Sequence, residues 1–223
     1  MSTDPFNANV YKYLAPYGYT DLDDFNKDKL DYLFKHSNLT ITTTNPDESL
    51  AEDLIEKMGQ EQVFISINNG AIFAWHQDED IDRDLYAANN VAIYETHGVG
   101  GTIISGPDDL DVAIILDHNN WSVIGANYFI EKVARALRDL LPEHEVVSDE
   151  NDILVDGKKV IGMTSGKVGD MLLYMAHVSF SDMSDLTKIL CPKQSTKVPG
   201  ALPSELDRAT LIAEFKSWFE EDV

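Results

Sequence analysis

Cysteine is nearly absent from this chain: Cys191 is the single thiol among 223 residues, so no internal disulfide can form. That usage fits a reducing compartment, and the expectation is a cytoplasmic protein. Long apolar runs are missing as well. None approaches the ~20 residues of a membrane span. The start, Met1-Ser2-Thr3-Asp4-Pro5-Phe6, has neither the basic end nor the apolar core of a signal peptide. Positive charge is scarce: 17 Lys and Arg face 39 Asp and Glu, for a formal net charge of −22. Nucleic-acid binding needs a basic footprint, and an anionic bilayer would repel this surface, so neither partner is expected. The excess reads as a solvated acidic surface, with an acidic face for a basic partner as the alternative. Repeats and low-complexity segments are absent. No His, Cys, Asp and Glu spacing suggests a metal site, and no nucleophile elbow supports a serine triad.

What is present is enough for a full core, since 43% of the residues are apolar. Residues 1–44 read as an N-terminal extension and 45–223 as the main domain. Within the extension, Leu22 to His36 predicts a short helix, and threonine-rich Leu39 to Thr44 a strand or extended linker. Asn45-Pro46-Asp47-Glu48 is a helix start, with an asparagine cap, proline at the first position and carboxylates at the positive end. Gly59 ends that helix. Val63 to Ile67 and Ala71 to Trp75 flank Asn68-Asn69-Gly70, which predicts a hairpin. Val91 to Tyr94 and Asp111 to Leu116 read as buried strands. Phe129, Val133, Leu137 and Leu141 mark a helix over 127–141. Short strands are expected over 144–180, with Asp156-Gly157 forming a type I′ turn. Asp182 is expected to cap a short helix holding Met183, Leu186 and Ile189. Leu211, Ile212, Phe215, Trp218 and Phe219 mark a last amphipathic helix. This irregular interleaving predicts an α+β fold, a mixed, mostly antiparallel sheet packed with helices.

Three places could carry chemistry. Gly98, Gly100 and Gly101 let backbone approach a ligand closely, though by pattern alone they also make a tight turn. A strand rather than a helix follows, which excludes the dinucleotide fingerprint. Lys159, in Lys159-Val160-Ile161-Gly162, reads by pattern alone as an exposed hairpin lysine, as its neighbour Lys158 does. Asn151-Asp152 before it reads by pattern as a turn ahead of a strand. Cys191 reads as a packing residue.

The order of these motifs resembles the lipoate–protein ligase and biotin–protein ligase superfamily, and within it the lipoate or octanoate ligases and transferases. The similarity runs from about residue 45 to 220. It includes the strand ending at Gln77, the loop Gly98 to Thr102, the turn Gly106-Pro107-Asp108-Asp109, the pair Asn151-Asp152, and Lys159 to Gly162. Lys197-Val198 is similar to the family's ending. The resemblance implies the class II synthetase-like fold of those ligases. It implies that Lys159 contacts the activated carbonyl and phosphate, and that Gln77, Gly98, Gly100, Gly101, Thr102, Asn151, Asp152 and Gly162 bind substrate or adenylate. Asp108 and Asp109 would shape the turn closing the pocket. The implied substrate is lipoate or octanoate, with ATP and Mg2+ as cofactors if the protein is a ligase. The implied acceptor is a lipoyl domain of a 2-oxoacid dehydrogenase, or a glycine cleavage H-type protein.

The chain also departs from the family pattern. Glu95 and Thr96 stand where the ligases usually place two arginines, and Val99 replaces a glycine. His177 lies near the family's His-Gly-Thr position and reads as a strand histidine. Many of the ligases add a small C-terminal domain for adenylate formation, so the resemblance leaves three alternatives: a separate accessory ligase domain as partner, acyl transfer alone, or loss of the reaction. Two functions are therefore carried forward. One is an acyltransferase or ligase that loads a lipoyl or octanoyl group onto an acceptor lysine. The other is a non-catalytic relative that binds a lipoyl group, a nucleotide or a protein; biotin ligation ranks third.

Overall fold

The computed structural model describes residues 38–44, 62–68, 70–76, 81–95, 102–117, 124–168, 171–191 and 197–219. The helices expected at Leu22–His36 and after Asn45 lie outside them. Strands β1 (Asn38–Thr44) and β2 (Gln62–Asn68) open a large sheet, and β3 (Phe73–His76), β4 (Ala92–Glu95) and β5 (Ile103–Ser105) form a small one. Helix α1 (Arg83–Ala88) lies between β3 and β4 in sequence. Strand β6 (Leu110–Asp117) returns to the large sheet, and helix α2 (Ile124–Leu140) follows. Strands β7 (Val146–Asp149), β8 (Asp152–Val155), β9 (Lys158–Val168) and β10 (Met171–Val178) complete it. Helices α3 (Ser184–Leu190) and α4 (Arg208–Ser217) end the described chain.

The large sheet has seven strands in the order β1-β2-β6-β10-β9-β8-β7. Only β1 and β2 pair in parallel; the other neighbours are antiparallel. The small sheet runs β4-β3-β5. This is the mixed, mostly antiparallel α+β architecture expected from the sequence.

Alternation along β6 separates two interiors. Leu110, Val112 and Ile114 pack beneath α2 and α4, with Phe129, Val133 and Leu137 from the one helix and Leu211 and Phe215 from the other. Ala113 and Ile115 point the opposite way, onto Phe73 and Trp75 of the small sheet. The far face of that sheet, Ala74 and Ile104, is covered by Tyr86 of α1 and Leu190, the last residue of α3. The molecule is thus layered as helices, large sheet, small sheet, helices. The sequence offered little sign of α1, a six-residue helix with one buried side chain.

Two local expectations are corrected. Val63–Ile67 and Ala71–Trp75 do not form a hairpin. Both edges of β2 are taken, by β1 and β6, so the chain at Asn68 crosses to the other sheet instead. The buried Asn68 side chain makes that crossing. Its amide donates to Ala71 O and Ser105 Oγ at 2.9 and 3.1 Å and also to Gly106 O, while its oxygen accepts from Ala71 N. Gly70 supplies the positive φ of 90°. Asp182 accepts the Ser184 amide at 3.0 Å but does not cap α3: Met183 holds the N-cap position without a side-chain bond, and Leu190 rather than the exposed Ile189 is buried. The Asp156-Gly157 turn has φ of 50° and 75°, as type I′ requires.

Replacing Asn68 with Ala strands buried backbone partners on both sides of the crossing. Asn68→Ala is expected to cost about 2–4 kcal/mol of folding stability, read from the urea midpoint at an unchanged m-value. A loss under about 0.5 kcal/mol would show that the crossing does not depend on this amide.

Candidate active site

A cleft of about 220 Å³ opens between the two sheets. Its small-sheet wall carries Trp75 and Ile103. Its large-sheet wall carries Asp111, His177, Gly162 and Lys159. Residues of α3 and the segment at 199–200 close the sides.

The large-sheet wall follows from register. Ser66, Asp111, His177, Gly162 and Asp152 are directly opposed across β2, β6, β10, β9 and β8. Directly opposed residues share a face, so one transverse row puts polar side chains and a glycine on the cleft side. One irregularity then turns the lysine into line. Ile153 pairs with Ile161, but Leu154 pairs with Lys159, so Val160 is an extra residue on β9. Such a bulge re-aims the side chains beyond it. Val160 and Ile161 are both buried against the helices, and Lys159 emerges on the cleft face.

There the lysine lies directly over Gly162. A Cβ on Gly162 would sit 2.8 Å from Lys159 Cε and 2.9 Å from its Nζ. The glycine is the space that the lysine occupies. Lys159 Nζ ion-pairs with Asp152 Oδ1 at 2.8 Å, with about a third of its side chain still exposed. Its backbone is pinned by the segment beside it: Lys159 N donates to Val198 O at 2.8 Å and Gly200 N to Lys159 O at 3.0 Å. The arrangement is a fixed cation at the mouth of a largely apolar cleft. It can hold an anionic group whose apolar remainder lies against Trp75 and Ile103.

Deeper in the wall sits a charge cluster that the sequence reading missed. His177 Nδ1 is 2.9 Å from Asp111 Oδ1. Its Nε2 is 3.2 Å from Asp109 Oδ2, an ion-pair distance without the alignment of a hydrogen bond. Asp109 accepts from Gly106 N at 2.6 Å, Phe180 N at 2.7 Å and Ser181 N at 2.8 Å, which ties the Gly106–Asp109 turn to the end of β10. Trp75 Nε1 donates to Asp111 Oδ2 at 3.4 Å. All three charged residues are buried. Burial alone would favour a neutral ring, but the two carboxylates outweigh it and push His177 up to about 10. Burial likewise works to raise Asp109, yet His177 and the backbone amides hold it below the usual carboxylate range. The available signal was two charged residues inside otherwise apolar strand segments, Leu110-Asp111-Val112 and Ala176-His177-Val178.

The structure brings Lys159, Asp152 and Gly162 together, with Thr102 on the same cleft beside Ile103. Asn151 is exposed and stands apart from the cleft; its carbonyl accepts from Met163 N at 2.7 Å. Gln77, Gly98, Gly100, Gly101 and Thr96 lie outside the described residues, and Glu95 closes β4 opposite His76. Cys191 is buried 3.2 Å from the Tyr86 hydroxyl. Burial pushes its thiol up, which disfavours a nucleophilic thiolate. Among the described residues, no three or more His, Cys, Asp or Glu side chains are arranged to hold a metal ion. No helix there is long and apolar enough to cross a membrane.

Solved structures share this fold. A lipoate–protein ligase A bound with ATP superposes with a TM-score of 0.66 at 16% identity, covering 82% of this chain and 83% of that one. Protein Ta0514 from T. acidophilum with bound lipoic acid gives 0.61 at 17%, covering 82% and 85%. A bipartite lipoate protein ligase from Thermoplasma acidophilum, described with its E2 lipoyl domain, gives 0.62 at 18%, covering 84% and 87%. Curated protein sequences yield no match. The architecture is therefore that of the lipoate–protein ligases. The family model of the lipoyl protein ligase A/B catalytic domain matches residues 47–218, and the chain belongs to that family.

The buried histidine sets a pH dependence. His177 binds its proton more tightly folded than unfolded, so its contribution is full below about pH 6.5 and is lost as pH rises towards about 10. Unfolding free energy, from urea titrations across that window, is expected to fall with pH. His177→Gln should flatten the slope by close to one proton. An identical slope in the variant would contradict a charged His177.

Proposed function

We propose that this protein attaches a lipoyl or octanoyl group to a lysine of an acceptor domain, through an acyl-adenylate when ATP supplies the activation. The observation that carries this reading is the Lys159 ammonium, held by Asp152 over Gly162 at the mouth of an apolar cleft. Family membership and the fold shared with a ligase bound with ATP and a protein bound with lipoic acid support it. Residues 45–223 form the catalytic unit in this reading, preceded by an extension at 1–44, and the protein works in the cytoplasm.

The chemistry asked of the side chains is modest. The acceptor amine attacks the acyl carbonyl, the new C–N bond forms, and the bond to the phosphate oxygen breaks as the amine loses a proton. Lys159 stabilises negative charge building on the carbonyl and phosphate oxygens. Asp152 fixes the lysine, Gly162 leaves it room, and Asn151 shapes the turn ahead of Asp152. Gln77 and the backbone of Gly98, Gly100, Gly101 and Thr102 would cradle the acyl-phosphate. Magnesium would enter on the nucleotide phosphates, because the nearby carboxylates Asp149 and Asp152 are held by lysines.

The acceptor in this reading is a lipoyl domain of a 2-oxoacid dehydrogenase or a glycine cleavage H-type protein, as the structure described with an E2 lipoyl domain suggests. A separate accessory ligase domain is a further proposed partner. One observation favours a second reading, a non-catalytic binding protein: β4, which precedes Gly98-Val99-Gly100-Gly101 in the sequence, ends in Glu95 rather than a basic residue.

Intact-mass spectrometry of a lipoyl domain separates these. Incubation with protein, ATP, magnesium and lipoate or octanoate should add one acyl mass. Lys159→Ala should slow the transfer by roughly 100-fold or more; unchanged single-turnover transfer would remove Lys159 from the chemistry. Transfer only from preformed acyl-adenylate or octanoyl carrier protein would place activation on a partner. Silence with every donor would leave the binding-protein reading.

A further inference from the structure

Asp152 holds two lysines. Its Oδ1 pairs with Lys159 Nζ at 2.8 Å and its Oδ2 with Lys197 Nζ at 2.7 Å. The two ammonium groups are not equivalent. Lys197 also reaches Asp149 Oδ2 at 3.0 Å and the Asp149 carbonyl at 3.1 Å. An ammonium has three N–H donors, enough for each of these acceptors. Lys159 has Asp152 as its one side-chain partner among the described residues and lines the cleft.

The segment that carries Lys197 is built onto the same strand. Val198 and Gly200 hydrogen-bond the backbone of Lys159 on either side of a parallel bridge between Lys159 and Pro199. A Cβ on Gly200 would lie 2.8 Å from Lys158 Cβ, so the close approach requires glycine there. Backbone and side chain of this short strap therefore converge on Lys159 and on its carboxylate partner.

We infer that Lys197 is a positioning residue for Lys159: it neutralises Asp152 so that Lys159 remains available to an anion in the cleft. The charges on the four side chains Asp149, Asp152, Lys159 and Lys197 sum to zero. Without Lys197 the sum is −1, with an unpaired carboxylate oxygen beside the place where a phosphate would bind. Asp152 is mostly shielded from solvent, so its charge acts on that site with little screening. Lys159 would then be drawn wholly onto Asp152. The inference rests on the reading of the cleft as an acyl-adenylate site.

The test measures anion binding by calorimetry, with ATP and with inorganic pyrophosphate as probes. Lys197→Met should weaken both by about tenfold or more, and Lys197→Arg should restore most of the affinity. The decisive variant is Lys197→Met combined with Asp152→Asn. If the harm comes from an uncompensated carboxylate, the second change recovers affinity. If Lys197 only holds the strap in place, the two losses add. Melting temperatures follow each variant to separate unfolding from lost binding. Wild-type protein that binds ATP, with Lys197→Met unaffected or with no recovery in the double variant, overturns the role of Lys197 alone. Wild-type protein that binds neither probe overturns this inference and the adenylate reading together.

Discussion

The site depends on one irregularity in strand pairing. β8 and β9 are in regular register from Asp152 opposite Gly162 to Ile153 opposite Ile161, and then Leu154 falls opposite Lys159. In a regular ladder, Lys159 would share a face with Ile161 and face the helices. A lysine buried there without a partner would cost several kcal/mol. The extra residue, Val160, reverses that outcome. It adds an apolar side chain to the core and turns the lysine onto the cleft face, where Asp152 and the space over Gly162 receive it. One local feature thereby serves the packing of the core and the placement of the cation in the cleft together.

Electrostatics in the cleft run against the character of the whole chain. The protein carries a formal charge of −22, yet the cleft wall sets each carboxylate against a cation or a set of donors. Asp152 faces two lysines, and Asp109 and Asp111 enclose His177. Charges at this depth are costly unless paired and hydrogen-bonded. The backbone amides of Gly106, Phe180 and Ser181 supply the hydrogen bonds on Asp109. That arrangement leaves no buried carboxylate of the wall without a cation or a donor, and it sets the partly exposed Lys159 rather than a carboxylate towards the cleft. It also joins the turn at Gly106, the end of β10 and the small sheet through Trp75 into one connected wall.

Much of this was legible in the amino-acid order, because local chemistry decided it. The Asp156-Gly157 turn, the apolar face of α2 and the buried strand β6 follow from residue type and spacing. The family resemblance pointed to Lys159, Asp152 and Gly162, and the structure shows why a glycine belongs three residues after the lysine. What stayed hidden depends on pairing between distant strands. Asn68-Asn69-Gly70 looked like a hairpin, since nothing local says that both edges of β2 are occupied. His177 read as an ordinary strand residue until register set it opposite Asp111. The contact of Lys197 with Asp152 depends likewise on its segment lying along β9, which residue order does not reveal.

The central claim is that the bulge delivers Lys159 to the reacting end of an acyl-adenylate. The most direct measurement is a crystal structure with a non-hydrolysable analogue, an acyl sulfamoyl adenosine. The account predicts sulfamoyl or carbonyl oxygens within about 3 Å of Lys159 Nζ, above Gly162, with the acyl chain along Trp75 and Ile103. An analogue seated elsewhere, with Lys159 still engaged only by Asp152, would contradict it.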